Sequence, residues 1–350
     1  MKACRLFLLL LLPGLGLASE TDLLLSEAQN GQPIERVLPK YPISEAKAGK
    51  EGWVRVDFVV DEQGQVTDAV VLDSSGVDGF EREALRAVRR WQYEPALVDG
   101  EAVQQCYKVQ LDFALDRQAQ GVTRRFAATV RAIQQRLEDQ QLDEAKAQLD
   151  ALRARPQWNL TEDGWYWMIE ALYQEAVGNV QEQVRSLKRV TGITTRRLPD
   201  EQLRYVLQKL FVLQTSQSQF AEALDSYEKL QQVPGSDEVV AMLAPYVDQI
   251  HTAVKSEQPL LVEARVNERR YWQHHLSRSG FELVQISGQL ETLDLRCERQ
   301  LKTYKAVSGV AWHIPASWGE CRVMVKGEPG SVFQLLEVPP VAGAEQAAVL

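Results

Sequence analysis

The sequence predicts an α+β protein in three parts. These are a small antiparallel sheet packed on one helix, a central all-α array of helical hairpins, and a C-terminal all-β sandwich or barrel. Changes in hydrophobic periodicity support this: residues 41–115 mix periods of 2 and 3.6, residues 122–254 are nearly all helical in pattern, and residues 259–338 return to alternation with many turn residues. The predicted domain boundaries are 36–116, 120–256 and 257–340, followed by a tail over 341–350.

The first 18 residues have the pattern of a secretory signal peptide. Lys2 and Arg5 precede an apolar run, and the small residues Gly16 and Ala18 fit a cleavage site directly after them. The apolar stretch has about 12 residues, fewer than the roughly 20 that a membrane-spanning helix needs. We therefore expect export to the periplasm, no stable transmembrane anchor, and a short linker over 19–35. The alternative is an inner-membrane anchor formed by an uncleaved signal.

The charge composition argues against one class of partner, nucleic acids. The chain carries 48 acidic and 39 basic residues, a net charge of −9, and loss of the signal peptide would remove Lys2 and Arg5. An acidic chain is a poor candidate for nonspecific nucleic-acid binding, so we expect no nucleic-acid partner. The hydrophobic content of 45% is ordinary for a globular protein.

The first part is predicted to contain a hairpin, a helix and a returning strand. Alternation over 54–60 indicates a half-buried strand, and a connection containing Gly64 leads to a second strand over 66–72. An apolar stripe over 80–91 predicts a helix, and alternation resumes over 103–115. In that last strand the residues Cys106, Lys108, Gln110 and Asp112 share one face, opposite Gln105, Tyr107, Val109, Leu111, Phe113 and Leu115.

An ordered set of short motifs in this part resembles the C-terminal domain of the TonB energy transducers. They lie over residues 38–54, 58–66, 74–76, 84–96 and 99–100. None of these motifs is specific to the family by itself, but their order along the chain is. The resemblance implies this α+β fold. Pro42 fixes its own φ, and Trp91 offers a large apolar face where helix meets sheet. The fold-defining residues that we expect are Tyr41, Pro42, Gly52, Gly64, Trp91, Pro95 and Gly100.

The same resemblance implies a function. TonB C-terminal domains recognise an extended segment of an outer-membrane receptor, which adds to a sheet edge. Carried onto this chain, the edge is the strand 103–115, and the candidate partner-binding residues are Tyr107, Lys108, Gln110 and Asp112. We expect a periplasmic, non-enzymatic protein-binding protein whose partner is an envelope protein such as an outer-membrane receptor, with a link to TonB-dependent transport. The edge is either free or capped by another part of the chain.

One feature departs from the family. A TonB proper has an uncleaved N-terminal helix and a long proline-rich spacer, whereas residues 19–35 carry a single proline. Fully extended, this segment spans at most about 60 Å. We therefore expect a soluble adaptor rather than a transmitter of force.

A weak repeat runs through the helical part. Similar motifs begin at residues 142, 180 and 220, that is, at spacings of 38 and 40 residues, and each is predicted to open a helix after a polar turn. Stacked helical hairpins of this kind resemble tetratricopeptide-type repeats. The alternative function follows from them: an envelope assembly scaffold in which the repeats carry the partner site and the TonB-like part is structural.

Three cysteines lie beyond the signal peptide. Cys297 and Cys321 belong to the same predicted part and form the candidate disulfide, since the periplasm is oxidising. Cys106 is the odd one, which either stays unpaired or cross-links a homodimer.

The sequence contains no recognisable catalytic or cofactor motif. The adjacent residues His274 and His275 could not share one helix face, as a zinc motif would require. G-x-S-x-G, glycine-rich phosphate loops and CxxC do not occur. We expect no enzymatic activity, no bound metal and no cofactor.

Overall fold

The computed structural model describes residues 28–115, 121–155, 159–194 and 198–339, and its architecture is the predicted α+β arrangement. The predicted signal peptide, the first part of the predicted linker and the predicted tail lie outside the described residues. No helix within the described ranges has the length and apolarity needed to cross a membrane.

The N-terminal part is built around a three-stranded antiparallel sheet of order β4-β3-β8. Two further small sheets, β1-β6-β7 and β2-β5, lie beside it. Its elements are β1 (Ala28–Gln29), β2 (Pro33–Glu35), α1 (Ile43–Lys47), β3 (Gly52–Val60), β4 (Val66–Ser74), α2 (Asp78–Val88), β5 (Gln92–Tyr93), β6 (Ala96–Val98), β7 (Glu101–Val103) and β8 (Gln105–Phe113).

Helix α2 covers one face of this sheet. Phe80 and Val88 of α2 are fully buried against Val54 and Phe58 of β3 in a common apolar core. Trp91 closes the end of this core: its ring meets Phe58 edge-on at 5.7 Å, and its Nε1 donates to the carbonyl of Val37 at 2.8 Å. The large apolar side chain of Trp91 is thus buried where the helix meets the sheet, as predicted.

Other expected fold-defining residues also occupy closely packed positions. The ring of Tyr41 makes edge contacts with Phe80 at 5.5 Å and Phe113 at 5.8 Å, and Pro42 precedes α1. At Gly52 an added Cβ would lie 2.2 Å from the hydroxyl of Ser75, so the backbone can approach its neighbour only without a side chain.

Part of the segment predicted as a linker is paired with the first part. Strand β1 pairs with β6, and β2 pairs with β5, both antiparallel. Residues 28–35 therefore extend the folded N-terminal part toward the chain start.

The central part consists of consecutive helical hairpins. Its helices are α3 (Arg124–Glu138), α4 (Leu142–Arg153), α5 (Leu160–Ala176), α6 (Val180–Thr194), α7 (Asp200–Ser216), α8 (Phe220–Gln231) and α9 (Asp237–Lys255). Helices α4, α6 and α8 begin where the sequence motifs begin. The turn before each of them contains one residue with positive φ, at Gln140, Gly178 and Ser218. The likeness to tetratricopeptide repeats in particular stays a prediction.

The C-terminal part is a sandwich of two four-stranded antiparallel sheets, β10-β15-β12-β13 and β14-β11-β16-β9. One apolar core takes side chains from both sheets, including Leu293 and Val323 of the first and Phe281 and Leu335 of the second. Its strands are β9 (Leu260–Arg265), β10 (Tyr271–His275), β11 (Gly280–Ser287), β12 (Leu290–Cys297), β13 (Leu301–Lys305), β14 (Ala311–His313), β15 (Cys321–Gly327) and β16 (Val332–Val338).

A disulfide joins Cys297 at the end of β12 to Cys321 at the start of β15, where the two residues face each other across the ladder. The loop that it closes has a sequence separation of 24 residues. Cys106 is a free, half-buried cysteine.

Candidate partner-binding edge and the adjoining cleft

Strand β8 is the outer strand of the N-terminal sheet. It pairs with β3 along its whole length, from Gln105 opposite Val60 to Phe113 opposite Gly52. The backbone N–H of Cys106 points away from β3, because it donates to the carbonyl of Glu298 at 3.3 Å. Backbone groups of a strand point to its two sides in alternation, so every second residue from Cys106 onward also presents its N–H outward.

The middle of this outer edge is unpaired. Lys108 and Gln110 present their N–H groups outward, and neither N–H donates a hydrogen bond to any residue that the structure describes. An unpaired row of N–H and C=O groups is the feature to which an extended segment adds as a new strand.

The start of the same edge is covered by the C-terminal sandwich. Besides the bond from Cys106 to Glu298, the backbone N–H of Leu301 donates to the side-chain oxygen of Gln104 at 3.2 Å. The turn between β12 and β13 thus caps the first residues of β8. The two alternatives raised by the sequence, a free edge and a capped edge, apply to different parts of one strand.

The side chains of Lys108, Gln110 and Asp112 form a polar rim beside the unpaired edge. Gln110 accepts from Arg55 at 3.2 Å and donates to Asp112 at 2.9 Å, while Lys108 contacts His275 of the sandwich at 2.9 Å. Lys108 and Asp112 are exposed and Gln110 is half-buried. The structure therefore brings three of the four predicted binding residues together on one side of β8.

Tyr107 lies on the other face. Its ring stacks on Phe58 at 5.5 Å, and its hydroxyl donates to the carbonyl of Gly31 at 2.8 Å. Burial, followed by the neighbouring Tyr93, raises the pKa of Tyr107 to about 12. Tyr107 is half-buried and packs on the face of the sheet opposite Lys108, Gln110 and Asp112.

A cleft of about 870 Å³ adjoins this edge. Cys106 and Lys108 of β8 form one wall, α8 and α9 contribute Leu224 and His251, and the sandwich contributes Arg322. The Cys106 thiol is not activated there, because burial raises its pKa to about 12 and thiolate is the reactive form.

A buried ion cluster holds the sandwich against the open face of the sheet. Asp57 of β3 is completely buried and accepts from Arg296 at 3.0 Å and from Arg322 at 2.5 Å. Arg296 also pairs with Asp68 of β4. Each buried charge is thus compensated by opposite charges from the other part of the chain, which burial requires.

A second buried cluster joins the helical array to the sandwich. His274 of β10 contacts Glu337 of β16 at 2.7 Å and approaches Glu222 of α8 at 3.6 Å. Burial alone would lower the pKa of His274, but the two carboxylates outweigh it and raise the pKa to about 9. The imidazole is therefore charged at neutral pH and pairs with carboxylates on both sides.

Sequence reasoning did not identify these clusters. Asp57 gave no local signal beyond its place on the same face of the strand as Arg55, and its partners are separated from it by 239 and 265 residues. The adjacency of His274 and His275 argues against a zinc motif but does not indicate the carboxylates that surround His274. Across the described residues, no group of three or more His, Cys, Asp or Glu side chains is arranged to hold a metal ion.

Comparison with known proteins identifies a likeness of the first part. Residues 37–115 match the family model for the Gram-negative bacterial TonB protein C-terminal. "Protein TonB" of Vibrio cholerae serotype O1 is 32% identical over 81 residues, which cover 23% of this chain and 33% of that protein. "Protein TonB" of Escherichia coli K12 is 37% identical over 70 residues, which cover 20% of this chain and 29% of that protein.

The solution structure of the Pseudomonas aeruginosa TonB C-terminal domain is 29% identical, covers 25% of this chain and 89% of that one, and gives a TM-score of 0.23. The chain spans about a third or less of the length of these two curated relatives. The resemblance predicted for the first part is confirmed.

Proposed function

We propose that this chain is a periplasmic protein-binding protein of TonB type, which recognises an extended segment of an envelope partner, such as an outer-membrane receptor, by strand addition to β8. The observation that carries the proposal is the pair of unpaired N–H groups at Lys108 and Gln110. They lie on the edge of a sheet whose sequence matches TonB C-terminal domains. A binding role without catalysis and a link to TonB-dependent transport belong to the same proposal.

In the proposed mechanism, different groups of β8 determine the affinity for the partner and the selectivity among partners. Main-chain hydrogen bonds to the outward groups of β8 would supply most of the affinity, and the rim of Lys108, Gln110 and Asp112 would select among partner side chains. Because the cap covers the start of β8, the added strand would begin near Lys108 and run toward Phe113. At about 3.3 Å per residue, this part of the edge is roughly 20 Å long.

Site-specific photo-crosslinking in the periplasm tests the proposal. A photo-reactive residue in place of Gln110 is expected to capture an outer-membrane receptor, because that position borders the unpaired edge. The matched control replaces Thr67, an exposed residue on β4 at the opposite side of the same sheet, and is expected to capture none. Equal capture at both positions, or a self-crosslink from Gln110 into the helical array, would count against strand addition at β8.

A second candidate function is the assembly scaffold. It is favoured by apolar side chains that the array exposes: Tyr205 and Val212 of α7 are 44% and 48% exposed, and Met242 and Tyr246 of α9 are 53% and 51% exposed. A photo-reactive residue at Val212 distinguishes the two functions. Capture of an envelope protein there, with none at Gln110, would favour the scaffold.

A further inference from the structure

We propose that the cleft beside Lys108 binds a carboxylate, which comes from an acidic side chain or the C-terminus of the segment that adds to β8. This inference rests on the proposed strand addition and specifies the chemistry of the partner. It concerns the cleft between β8, α8, α9 and the sandwich, for which the resemblance to TonB domains implies no role.

The first argument is the position of the Lys108 ammonium. Its Nζ lies 2.9 Å from His275 Nε2 at the wall of the cleft, and the residue is exposed, so a ligand can reach it. No carboxylate oxygen of the described residues lies within 4.0 Å of this ammonium. Its one close polar neighbour is an imidazole, and burial and the charge of Lys108 hold the pKa of His275 well below its usual range.

The nearby carboxylates are already paired. Asp57 carries two guanidinium partners, Arg296 and Arg322, and Glu222 pairs with the charged ring of His274. Lys108 therefore adds a positive charge that has no carboxylate in direct contact, although Asp57 and Glu222 act on it from a greater distance. The residue is exposed as a whole, but the surrounding walls of the cleft partly remove its ammonium from water, and this desolvation, followed by the repulsion of Arg322, lowers the pKa of Lys108 to about 7.

The second argument is the chemistry of the ligand. A carboxylate offers two acceptor oxygens and forms charge-assisted hydrogen bonds with an ammonium group. Arg296 also lines the cleft, but its guanidinium is buried and already pairs with Asp57 and Asp68. The ammonium of Lys108 is therefore the cationic group that remains for a ligand.

The third argument is continuity with the edge. Lys108 contributes an outward N–H to the unpaired part of β8 and its ammonium to the cleft. A segment paired with this edge would therefore have a residue beside Lys108, with its side chain or terminus within reach of the ammonium. The cleft would therefore favour an acidic residue at the position of the partner segment that lies beside Lys108.

The groups that face the Lys108 ammonium come from five elements, and their charges decide the effect of binding. They are His275 of β10, Arg322 of β15, Asp57 of β3, Glu222 of α8 and Lys188 of α6. A bound carboxylate would stabilise the ammonium and raise the pKa of Lys108. Binding would accordingly be tighter at pH 6 than at pH 8, because at the higher pH part of the free Lys108 population is neutral.

Nuclear magnetic resonance of the whole chain tests the site without a known partner. N-acetyl-aspartate N-methylamide is the probe, and its asparagine counterpart is the neutral control. We expect saturable shifts of the His275 ring signals with the acidic probe only, and at least tenfold weaker binding in Lys108→Gln. Lys229→Gln, which alters a lysine of the same cleft that already pairs with Asp225, should bind like the parent. N-acetyl-alanine, with a terminal carboxylate, distinguishes the two sources.

Three results would overturn the carboxylate site: no shift, equal shifts with the asparagine probe, or unchanged binding in a folded Lys108→Gln variant. The backbone spectrum verifies that each variant is folded. Crosslinking from Gln110 separates this inference from the proposed function. Receptor capture together with a failed titration would leave strand addition standing and reject the carboxylate site.

Discussion

Two glycines in turns of the first part offer a matched test of backbone requirements. Gly64 has φ of +78°, and an added Cβ would lie 2.0 Å from the carbonyl oxygen of Tyr93; Gly100 has φ of +83° but nothing within 4 Å. Gly100→Ala should therefore lower the free energy of unfolding by about 1 kcal/mol, through backbone strain alone. Gly64→Ala should cost at least about 3 kcal/mol, because the clash adds to that strain.

Urea unfolding of both variants checks this prediction. Equal losses for the two alanine variants would show that the close approach of Tyr93 does not matter to stability.

Single residues differ in how far the sequence could predict them. The turn at Gly64 and the apolar side chain of Trp91 were predictable because each leaves a local sequence signal, whereas the close approach of Tyr93 to Gly64 leaves none. Asp57 was not, since the arginines that neutralise it belong to strands more than 200 residues away. Of the predicted binding residues, Lys108, Gln110 and Asp112 share one face as expected from alternation, while the contact of Lys108 with His275 had no local signal.

Secondary-structure elements with regular periodicity were predicted well, whereas the contacts of their buried polar groups were not. The hairpin β3–β4 and the starts of α4, α6 and α8 followed from alternation and turn motifs. The alternation over 259–338 did not indicate the role of His274, an inward position of β10 that pairs with Glu337 of a distant strand and with Glu222 of α8.

The pairing of His274 with Glu222 and Glu337, between α8 and the sandwich, should make the free energy of unfolding depend on pH. The pKa of His274 is raised from 6.5 to about 9 in the folded protein, so its contribution is complete below pH 6.5 and is lost as pH rises through about 9. The shift corresponds to a loss on the order of 3 kcal/mol. Despite burial, His274 lowers the pKa of Glu222, whose contribution is present above its usual pKa and falls in acid.

Urea unfolding at pH 6 and pH 9.5 measures this effect. The fall in unfolding free energy should be absent in His274→Gln and preserved in His251→Gln, which changes an exposed histidine of α9. A fall of the same size in all three proteins would assign the pH dependence to other groups.

In the whole molecule, the three parts pack through polar contacts that link distant parts of the chain. Trp53 of the sheet enters the core of the helical array, and its Nε1 donates to the buried Asp163 at 2.9 Å. Arg189 of α6 forms two bonds to Asp73 of β4, at 2.6 and 2.7 Å. The sequence predicted each part but not these contacts, because periodicity reports which face of an element is apolar and not which distant element covers it.

This packing explains why the proposed binding edge is only partly open. The sandwich is held on the sheet through Asp57 and reaches the start of β8, yet leaves the N–H groups of Lys108 and Gln110 unpaired. The sandwich thus shortens the edge, and together with the array it forms a cleft beside it. Under the proposed strand addition, a partner segment would meet a more selective site than a bare sheet edge.

Amide hydrogen exchange along β8 tests the central claim most directly. In the free protein, Lys108 and Gln110 should exchange rapidly, whereas Tyr107, Val109 and Leu111, whose N–H groups face β3, should exchange slowly. After the captured receptor segment binds, Lys108 and Gln110 should become protected as well. Protection of all five amides in the free protein, or continued rapid exchange of Lys108 and Gln110 in the complex, would contradict strand addition at this edge.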